Sequence, residues 1–348
     1  MTKLKPDLKC FDSYSPVFLQ IEKMKSKKIF VFFIVLVVLL SCNNRKDYIN
    51  LKGNALGTSF NIKYKGNKTY TKEIDSLFQV VNTALSTYHS NSIISRINKG
   101  DTAVLTNNHF NTVFNKAKII HKQTNGFFDP TVGNLVNAWG FGPKHLKIEM
   151  DSSTVNTMMA LVGFEKLSLI NNHVYKTHPD IFIDFNAIAK GYAVDVMGRF
   201  LESKGVSDYM VEIGGELRVR GSNSREAPWL IAIEKPLTDG TRAIETTVEL
   251  SDKSMATSGN YRKFKIDENG RKFVHTINPK TGFTEQNDLL SVSVITESDC
   301  ADADAYATAF MAMGYNKAKV FLEKHSEIKA VLIYIDKNGE IRLEKQQI

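Results

Sequence analysis

Twelve consecutive apolar residues, Ile29–Leu40, partition this chain. A helix needs about 20 such residues to cross a bilayer, so the run is too short for a span. It follows Lys23, Lys25, Lys27 and Lys28 and ends in Leu39-Leu40-Ser41-Cys42. A basic stretch, a short apolar stretch and a small residue beside a cleavage point are the parts of an export signal. The end of the run resembles a bacterial lipobox, in which the Cys42 thiol carries the lipid. Residues 1–41 are therefore expected to be a signal-peptide region, with Met24 as an alternative start. Residues 42–47 are expected to be the lipidated cysteine and a polar tether, and residues 48–348 the folded domain. The expected location is membrane-anchored, on the periplasmic face of the inner membrane. The competing reading is a plain membrane anchor with an incidental cysteine.

The charge excludes one large class of function. The formal net charge is +8. Residues 1–41 hold seven Lys against Asp7, Asp12 and Glu22, a net of +4, which leaves 8 − 4 = +4 for the rest. That mild excess, with no basic stripe interleaved with aromatics, gives no reason to expect nucleic acid. Cys10, Cys42 and Cys300 are the three cysteines, and none forms a CxxC pair. Neither a disulfide framework nor a zinc site follows.

Beyond the tether the pattern is mixed α and β, with no internal repeat, and one compact domain is expected. Ser59 to Tyr64 alternates like a strand. Ile74, Leu77, Val80, Val81, Ala84 and Leu85 share one helical face, as do Phe110, Val113, Phe114, Ala117 and Ile120. The latter helix meets a stop at Asn125-Gly126. Ala189, Tyr192, Ala193, Val196 and Phe200 mark a third helix, ending near Gly205. Strands are expected at Tyr209–Ile213, Glu216–Arg220, Trp229–Glu234 and Leu290–Thr296, and a helix from Asp304 to Met313. A helix near Lys317–Lys324 and a hairpin about Asp336-Lys337-Asn338-Gly339 close the chain.

Several segments carry candidate chemistry. Asp304 and Thr308 are four residues apart among alanines, so a helix puts both oxygens on one face. A carboxylate with a hydroxyl suits Mg²⁺, which prefers oxygen ligands and keeps several waters. A helix cap and a buried Thr would explain the same residues. In Ile183-Asp184-Phe185-Asn186-Ala187-Ile188-Ala189-Lys190, a strand runs through a turn into a helix. Lys190 is expected in the first turn, where free amides and the helix dipole favour an anion. Asp184 could accept hydrogen bonds from a sugar or base, or merely cap the helix. The segment is not a Walker loop. Gly126-Phe127-Phe128-Asp129-Pro130-Thr131 offers rings for stacking, or core and turn. Gly214-Gly215 allows a close backbone approach or a bulge. Thr257-Ser258-Gly259-Asn260-Tyr261-Arg262 and His275-Thr276-Ile277-Asn278-Pro279-Lys280-Thr281-Gly282 are dense polar motifs. A lone histidine such as His275 is more often structural than catalytic.

In order along the chain, these segments follow Leu56-Gly57-Thr58 and Leu85-Ser86-Thr87-Tyr88 with Ser92, and they include Trp139-Gly140-Phe141-Gly142 and Ala303 through Gly314. Together they resemble the ApbE family of FAD:protein FMN transferases over nearly all of residues 50–320. The resemblance implies an α+β, tunnelling-fold-like domain with mixed sheets and packed helices, and a flavin pocket. It implies Mg²⁺ on the Ala187 carbonyl, Asp304 and Thr308, and FAD on Tyr88, Phe127, Phe128, Asp129, Asp184, Lys190, Thr276 and Ile277. It implies that His275 acts in the transfer step. The acceptors it implies are proteins with an Asp-x-x-(Ser/Thr)-Gly-Ala-(Ser/Thr) motif, including subunits of redox-driven ion pumps such as the sodium-pumping NADH:quinone reductase and the Rnf complex. Two departures stand out. Leu56 replaces a common Met, and Asn278 replaces a common Asp. Hydrolysis of FAD to FMN and AMP, or flavin binding without catalysis, are the competing functions.

Overall fold

The computed structural model describes residues 47–144, 149–237, 241–261, 264–266, 272–284 and 287–348. The signal-peptide and lipobox expectations, Cys42 included, lie outside them, as does Arg262. The described residues from Asp47 onward form one compact unit.

The chain begins with a hairpin, β1 (Tyr48–Ala55) and β2 (Thr58–Lys65), followed by helices α1 (Thr71–Leu85), α2 (Ile93–Asn98) and α3 (Asn108–Gln123). The short helices α4 (Gly133–Ala138) and α5 (Ser152–Met159) and a small ribbon of β3 (Leu167–Ile170) and β4 (His173–Lys176) come next. Helix α6 (Asn186–Ser203) leads into β5 (Tyr209–Ile213), β6 (Glu216–Arg220), β7 (Trp229–Glu234), β8 (Ile244–Leu250) and β9 (Lys253–Gly259). Strands β10 (Phe264–Ile266), β11 (Lys272–Val274) and β12 (Leu289–Thr296) follow, then α7 (Cys300–Met313), α8 (Tyr315–Lys324), β13 (Lys329–Ile335) and β14 (Ile341–Gln346). The fold is α+β.

Eight strands form the central sheet in the order β1-β2-β5-β6-β9-β12-β13-β14. Neighbours along it pair antiparallel. The pleat sends alternate residues to opposite faces. Val292, Val294, Ala330 and Leu332 enter the core beneath the helices. Their neighbours Ile295, Val331 and Ile333 face a second core, closed by Trp229, Ile231, Ile233, Val248 and Leu250 of the β7–β8 ribbon. The sheet is thus a middle layer between helices and ribbon. On β6, Leu217 and Val219 face the ribbon, which turns Glu216 and Arg218 toward the helices.

Two tight turns set one end of this sheet. Ala55 pairs with Thr58 and Ile213 with Glu216, so each hairpin has a two-residue loop. The type I′ form of such a loop needs positive φ at both positions. Leu56 and Gly57 have φ of 51° and 75°, and Gly214 and Gly215 have 65° and 107°. The two glycines thus form a hairpin turn rather than a bulge.

Helix α7 is buried on nearly every side, with Ala301, Ala303, Ala305, Ala307 and Ala309 inaccessible to solvent. A helix apolar all round belongs in a core. It starts four residues before the expected Asp304, because Asp299 occupies the N-cap position. Asp302 is inside the first turn and pairs with Lys116 on α3 at 2.8 and 2.9 Å. Asp304 and Thr308 are therefore helical residues, not caps.

Candidate active site

A cleft of about 1380 Å³ opens where the two tight turns, the start of α6, α7 and the edge of β7 converge. Tyr88, Phe127, Phe128, Asp129, Asp184, Ala187, Lys190, His275, Thr276, Ile277, Asp304 and Thr308 all line it. These segments lie up to 220 residues apart in sequence, so their convergence is a property of the fold. A smaller polar depression of about 280 Å³, beside Arg218 and Arg220, contains none of them.

The floor of the cleft is charged. Lys190 pairs with Glu216 Oε1; the lysine side chain is 32% exposed and the glutamate 3%. The ammonium therefore reaches the cleft while its counter-ion stays buried. Lys190 is the fifth residue of α6, one residue beyond the first turn where the sequence placed it. The free amides at the helix start are not what it reinforces. Asp184 Oδ1 accepts from the Asn186 amide at 2.7 Å, and Ile188 and Ala189 donate to the Phe185 carbonyl. Burial lowers the Lys190 pKa, but the charges of Glu216 and Asp304 outweigh it and leave the pKa raised. Burial also raises Glu216, against the pull of Lys190. Glu216 Oε2 is buried without a hydrogen-bond partner.

Asp304 is 3% exposed and accepts from the Gly191 amide at 3.0 Å. Burial raises its carboxyl pKa, with Lys190 and that amide opposing. Gly191 lies four residues after Ala187, so its amide is the ordinary helical donor to the Ala187 carbonyl. Here that amide also donates to Asp304. The contact needs glycine: a Cβ at 191 would stand 2.4 Å from the Cys300 carbonyl oxygen. The small residues of α7 and Gly191 of α6 together allow this close approach.

The floor thus holds the carboxylates of Asp184, Glu216 and Asp304 against one lysine. That excess of negative charge suits a cation. Among the described residues no three His, Cys, Asp or Glu side chains converge as a ready-made metal cage. A carboxylate, a hydroxyl and a carbonyl could hold an oxygen-seeking cation that completes its shell with water and substrate oxygens.

The remaining lining residues divide by role. Phe128 is 2% exposed and belongs to the core, while Phe127 is partly exposed beneath the ammonium groups of Lys317 and Lys280, at 5.0 and 6.0 Å. Tyr88 is 65% exposed at the rim. Asp129 accepts from the Thr131 amide and hydroxyl at 2.8 and 2.6 Å and faces His121 at 3.4 Å. Thr276 donates to Asn260 at 2.8 Å. The His275 ring meets the Phe141 ring edge-on at 6.4 Å. Asn278 does not line the cleft; its side-chain oxygen accepts from the Lys280 amide at 2.8 Å and its carbonyl from Gly282 at 2.8 Å. An Asn performs that turn-holding role as an Asp would, which accounts for the departure at 278. Glu216, read from sequence only as the start of a strand after the glycine pair, emerges as the partner of Lys190. Its signal was an inward position on a strand directly after the turn.

An antiparallel sheet with helices on one face, a ribbon on the other and a cleft floored by a buried lysine–carboxylate cluster defines a class of ligand-binding α+β protein. Within it the chain belongs to the ApbE family, whose family model matches residues 56–332. Curated relatives that it resembles carry the name FAD:protein FMN transferase, two of them over most of both chains. That of Vibrio cholerae serotype O1 is 36% identical over 313 residues, 87% of this chain and 92% of its own. That of Haemophilus influenzae is 36% identical over 316 residues, 86% and 90% of the two chains. The solved flavin transferase ApbE from Vibrio cholerae superposes with a TM-score of 0.76 at 35% identity, covering 86% of this chain and 97% of its own. The apo flavinyl transferase ApbE of Pseudomonas stutzeri gives 0.76 at 29% identity, covering 86% and 95%.

Proposed function

We propose that this chain is an enzyme that transfers FMN from FAD to a Thr or Ser hydroxyl of other proteins, in a Mg²⁺-dependent reaction that releases AMP. The observation that carries the reading is the meeting of Lys190, Asp304, Thr308 and His275 in one cleft. FAD joins FMN to AMP through an anionic pyrophosphate. Such a group would be repelled by Asp184, Glu216 and Asp304 unless a cation came with it. Asp304, Thr308 and the Ala187 carbonyl would hold that cation. Bound there, Mg²⁺ supplies charge stabilisation to the phosphoryl oxygens.

The chain's own residues do the rest. Phe127 and Tyr88 offer ring surface to the flat parts of FAD, and Asp184 accepts hydrogen bonds. The acceptor oxygen forms a bond to the FMN-side phosphorus as the bond from that phosphorus to the bridging oxygen breaks. Lys190, kept protonated by Glu216, stabilises the charge that grows on the bridging oxygen. His275 takes the proton from the attacking hydroxyl, a contribution of about 10²–10⁴ in rate. AMP leaves with the electron pair.

The acceptors in this reading carry the Asp-x-x-(Ser/Thr)-Gly-Ala-(Ser/Thr) motif and include subunits of redox-driven ion pumps. The enzyme reaches them as a lipoprotein anchored through Cys42 at the periplasmic face of the inner membrane. Cys42→Ala should leave the protein unprocessed or free of the membrane fraction; unchanged processing and partitioning would remove the anchor from the account. For the reaction, incubation with FAD, Mg²⁺ and a motif-bearing acceptor should give an acceptor that fluoresces as a flavin after denaturing electrophoresis. Fluorescence that persists when the acceptor hydroxyl is replaced by Ala, or free FMN with an unlabelled acceptor, would overturn the transferase reading. The latter would establish hydrolysis.

A further inference from the structure

We infer that Asp195 is a positioning residue: together with Arg218 it fixes the start of α7 against α6, so that Asp304 is delivered to the Gly191 amide beside Lys190. Asp195 is completely buried on α6, one turn beyond Gly191. Its two oxygens accept from the first amides of α7, Cys300 at 2.9 Å and Ala301 at 2.9 Å. These are amides that a helix leaves without internal partners, at its positive end. Arg218 Nη1 meets Asp195 Oδ1 at 3.0 Å. The same guanidinium nitrogen reaches Asp299, the N-cap residue of α7, at 3.2 Å, while Nη2 holds Glu202 and Nε the Tyr209 hydroxyl. Gly198 of α6 makes room for this side chain, since a Cβ there would stand 3.0 Å from the Arg218 Cδ.

Two features tie this clamp to the cleft. The helices touch along a seam of small residues, with Gly191 against Cys300 and Ala301. Such a seam has few large side chains to interlock, so directional polar bonds must set its register. Such bonds are made at Gly191 and at Asp195, and the two points agree. Gly191 engages Asp304, and Asp195, four residues further up α6, engages Cys300, four residues back on α7. A slip of either helix by one turn would break both. The strand repeats the pattern: on one face of β6, Glu216 pairs with Lys190 and Arg218 with Asp195, with the charges reversed. A one-turn slip would therefore place like charges together.

The inference rests on the proposed cation site, and its test separates the two. Asp195→Asn keeps the volume but puts an NH₂ against one of the two α7 amides. Asp302→Asn is the control, because it alters a carboxylate in the first turn of α7 whose bonds run to Lys116 of α3 and not to α6. In Asp195→Asn, amide hydrogen exchange over residues 187–195 should accelerate about tenfold as the Gly191–Asp304 bond loosens. The Mg²⁺ concentration giving half-maximal thermal stabilisation should rise about 10–100-fold. Asp302→Asn should alter neither exchange nor Mg²⁺ response. Unchanged exchange in Asp195→Asn, or equal changes in Asp302→Asn, would overturn the inference. If Asp195→Asn does not fold, Arg218→Lys is held to the same exchange criterion against the same control. A wild-type protein that shows no response to Mg²⁺ would count against the cation site alone, and the exchange measurement would still decide the role of Asp195.

Discussion

Replacing Gly191 by alanine sets two effects of opposite sign against each other. By helix propensity alone, alanine inside α6 should stabilise by about 1 kcal/mol. The structure predicts the reverse. The new Cβ would stand 2.4 Å from the Cys300 carbonyl oxygen, 2.7 Å from its carbon and 2.8 Å from the Ala301 Cα. All three are backbone atoms and cannot rotate away. Ordinary contact begins at 3.4 Å, so the helices must part by about 3.4 − 2.4 = 1.0 Å. The Gly191–Asp304 bond, now 3.0 Å, would stretch to about 4 Å, beyond hydrogen-bonding reach. Overpacking costs about 1–3 kcal/mol, and losing a hydrogen bond to a buried carboxylate about 1.5–3 kcal/mol. After the propensity gain is subtracted, the variant should be less stable by about 1.5–5 kcal/mol, a fall of several degrees in melting temperature. Thermal unfolding followed by circular dichroism, with and without Mg²⁺, reads this directly. FAD cleavage should fall with it, because Asp304 moves. A Gly191→Ala protein that melts at or above the wild-type temperature and cleaves FAD normally would refute the close-approach argument.

Lys190→Met leaves Glu216 buried without its partner and should destabilise the fold by about 3–5 kcal/mol; Lys190→Met with Glu216→Leu should recover most of that in denaturant unfolding but none of the FAD cleavage, and recovered activity would show Lys190 to be purely structural. Asn107→Ala removes the side-chain cap of α3, whose oxygen accepts from the Phe110 amide at 3.0 Å; about 1 kcal/mol should be lost with turnover unchanged, and altered kinetics would tie α3 to the site. Burial raises the Asp304 carboxyl above its ordinary 3.8. Its contribution to metal-free stability is therefore greatest below 3.8 and falls as pH rises through the raised value. Mg²⁺ needs the carboxylate, so the Mg²⁺-induced rise in melting temperature should shrink on acidification through that same value; a pH-independent shift would remove Asp304 from the cation site.

What the sequence discloses depends on whether the deciding interaction is local. Tyr209–Ile213, Glu216–Arg220 and Trp229–Glu234 are strands with the expected boundaries, because each alternates between a core and an opposite face. Strand β9 was not legible. Its Lys-Ser-Met-Ala-Thr-Ser-Gly is small and polar, and it becomes a central strand only because β6 and β12 pair with it on either side. Strands β1 and β8 were also missed, although both alternate, Ile49, Leu51 and Ala55 against Asn50, Lys52 and Asn54 in one and Ile244, Val248 and Leu250 against Glu245 and Glu249 in the other. The start of α7 was misplaced because a helix buried all round has no amphipathic period to mark its ends. In the site, the oxygen pair of α7 and the lysine of α6 could be picked out from local spacing. The Lys190–Glu216 pair could not, nor the Asp195–Arg218 clamp, since both join residues more than 20 positions apart.

The most direct test of the central claim is intact-mass measurement of the acceptor, run alongside quantification of AMP, after reaction with FAD and Mg²⁺. The account predicts that each acceptor gains the mass of FMN less one water, that one AMP appears for each gain, and that replacing the acceptor Thr or Ser by Ala abolishes the gain. FMN and AMP released in equal amounts with no change in acceptor mass, across several motif-bearing acceptors, would contradict it.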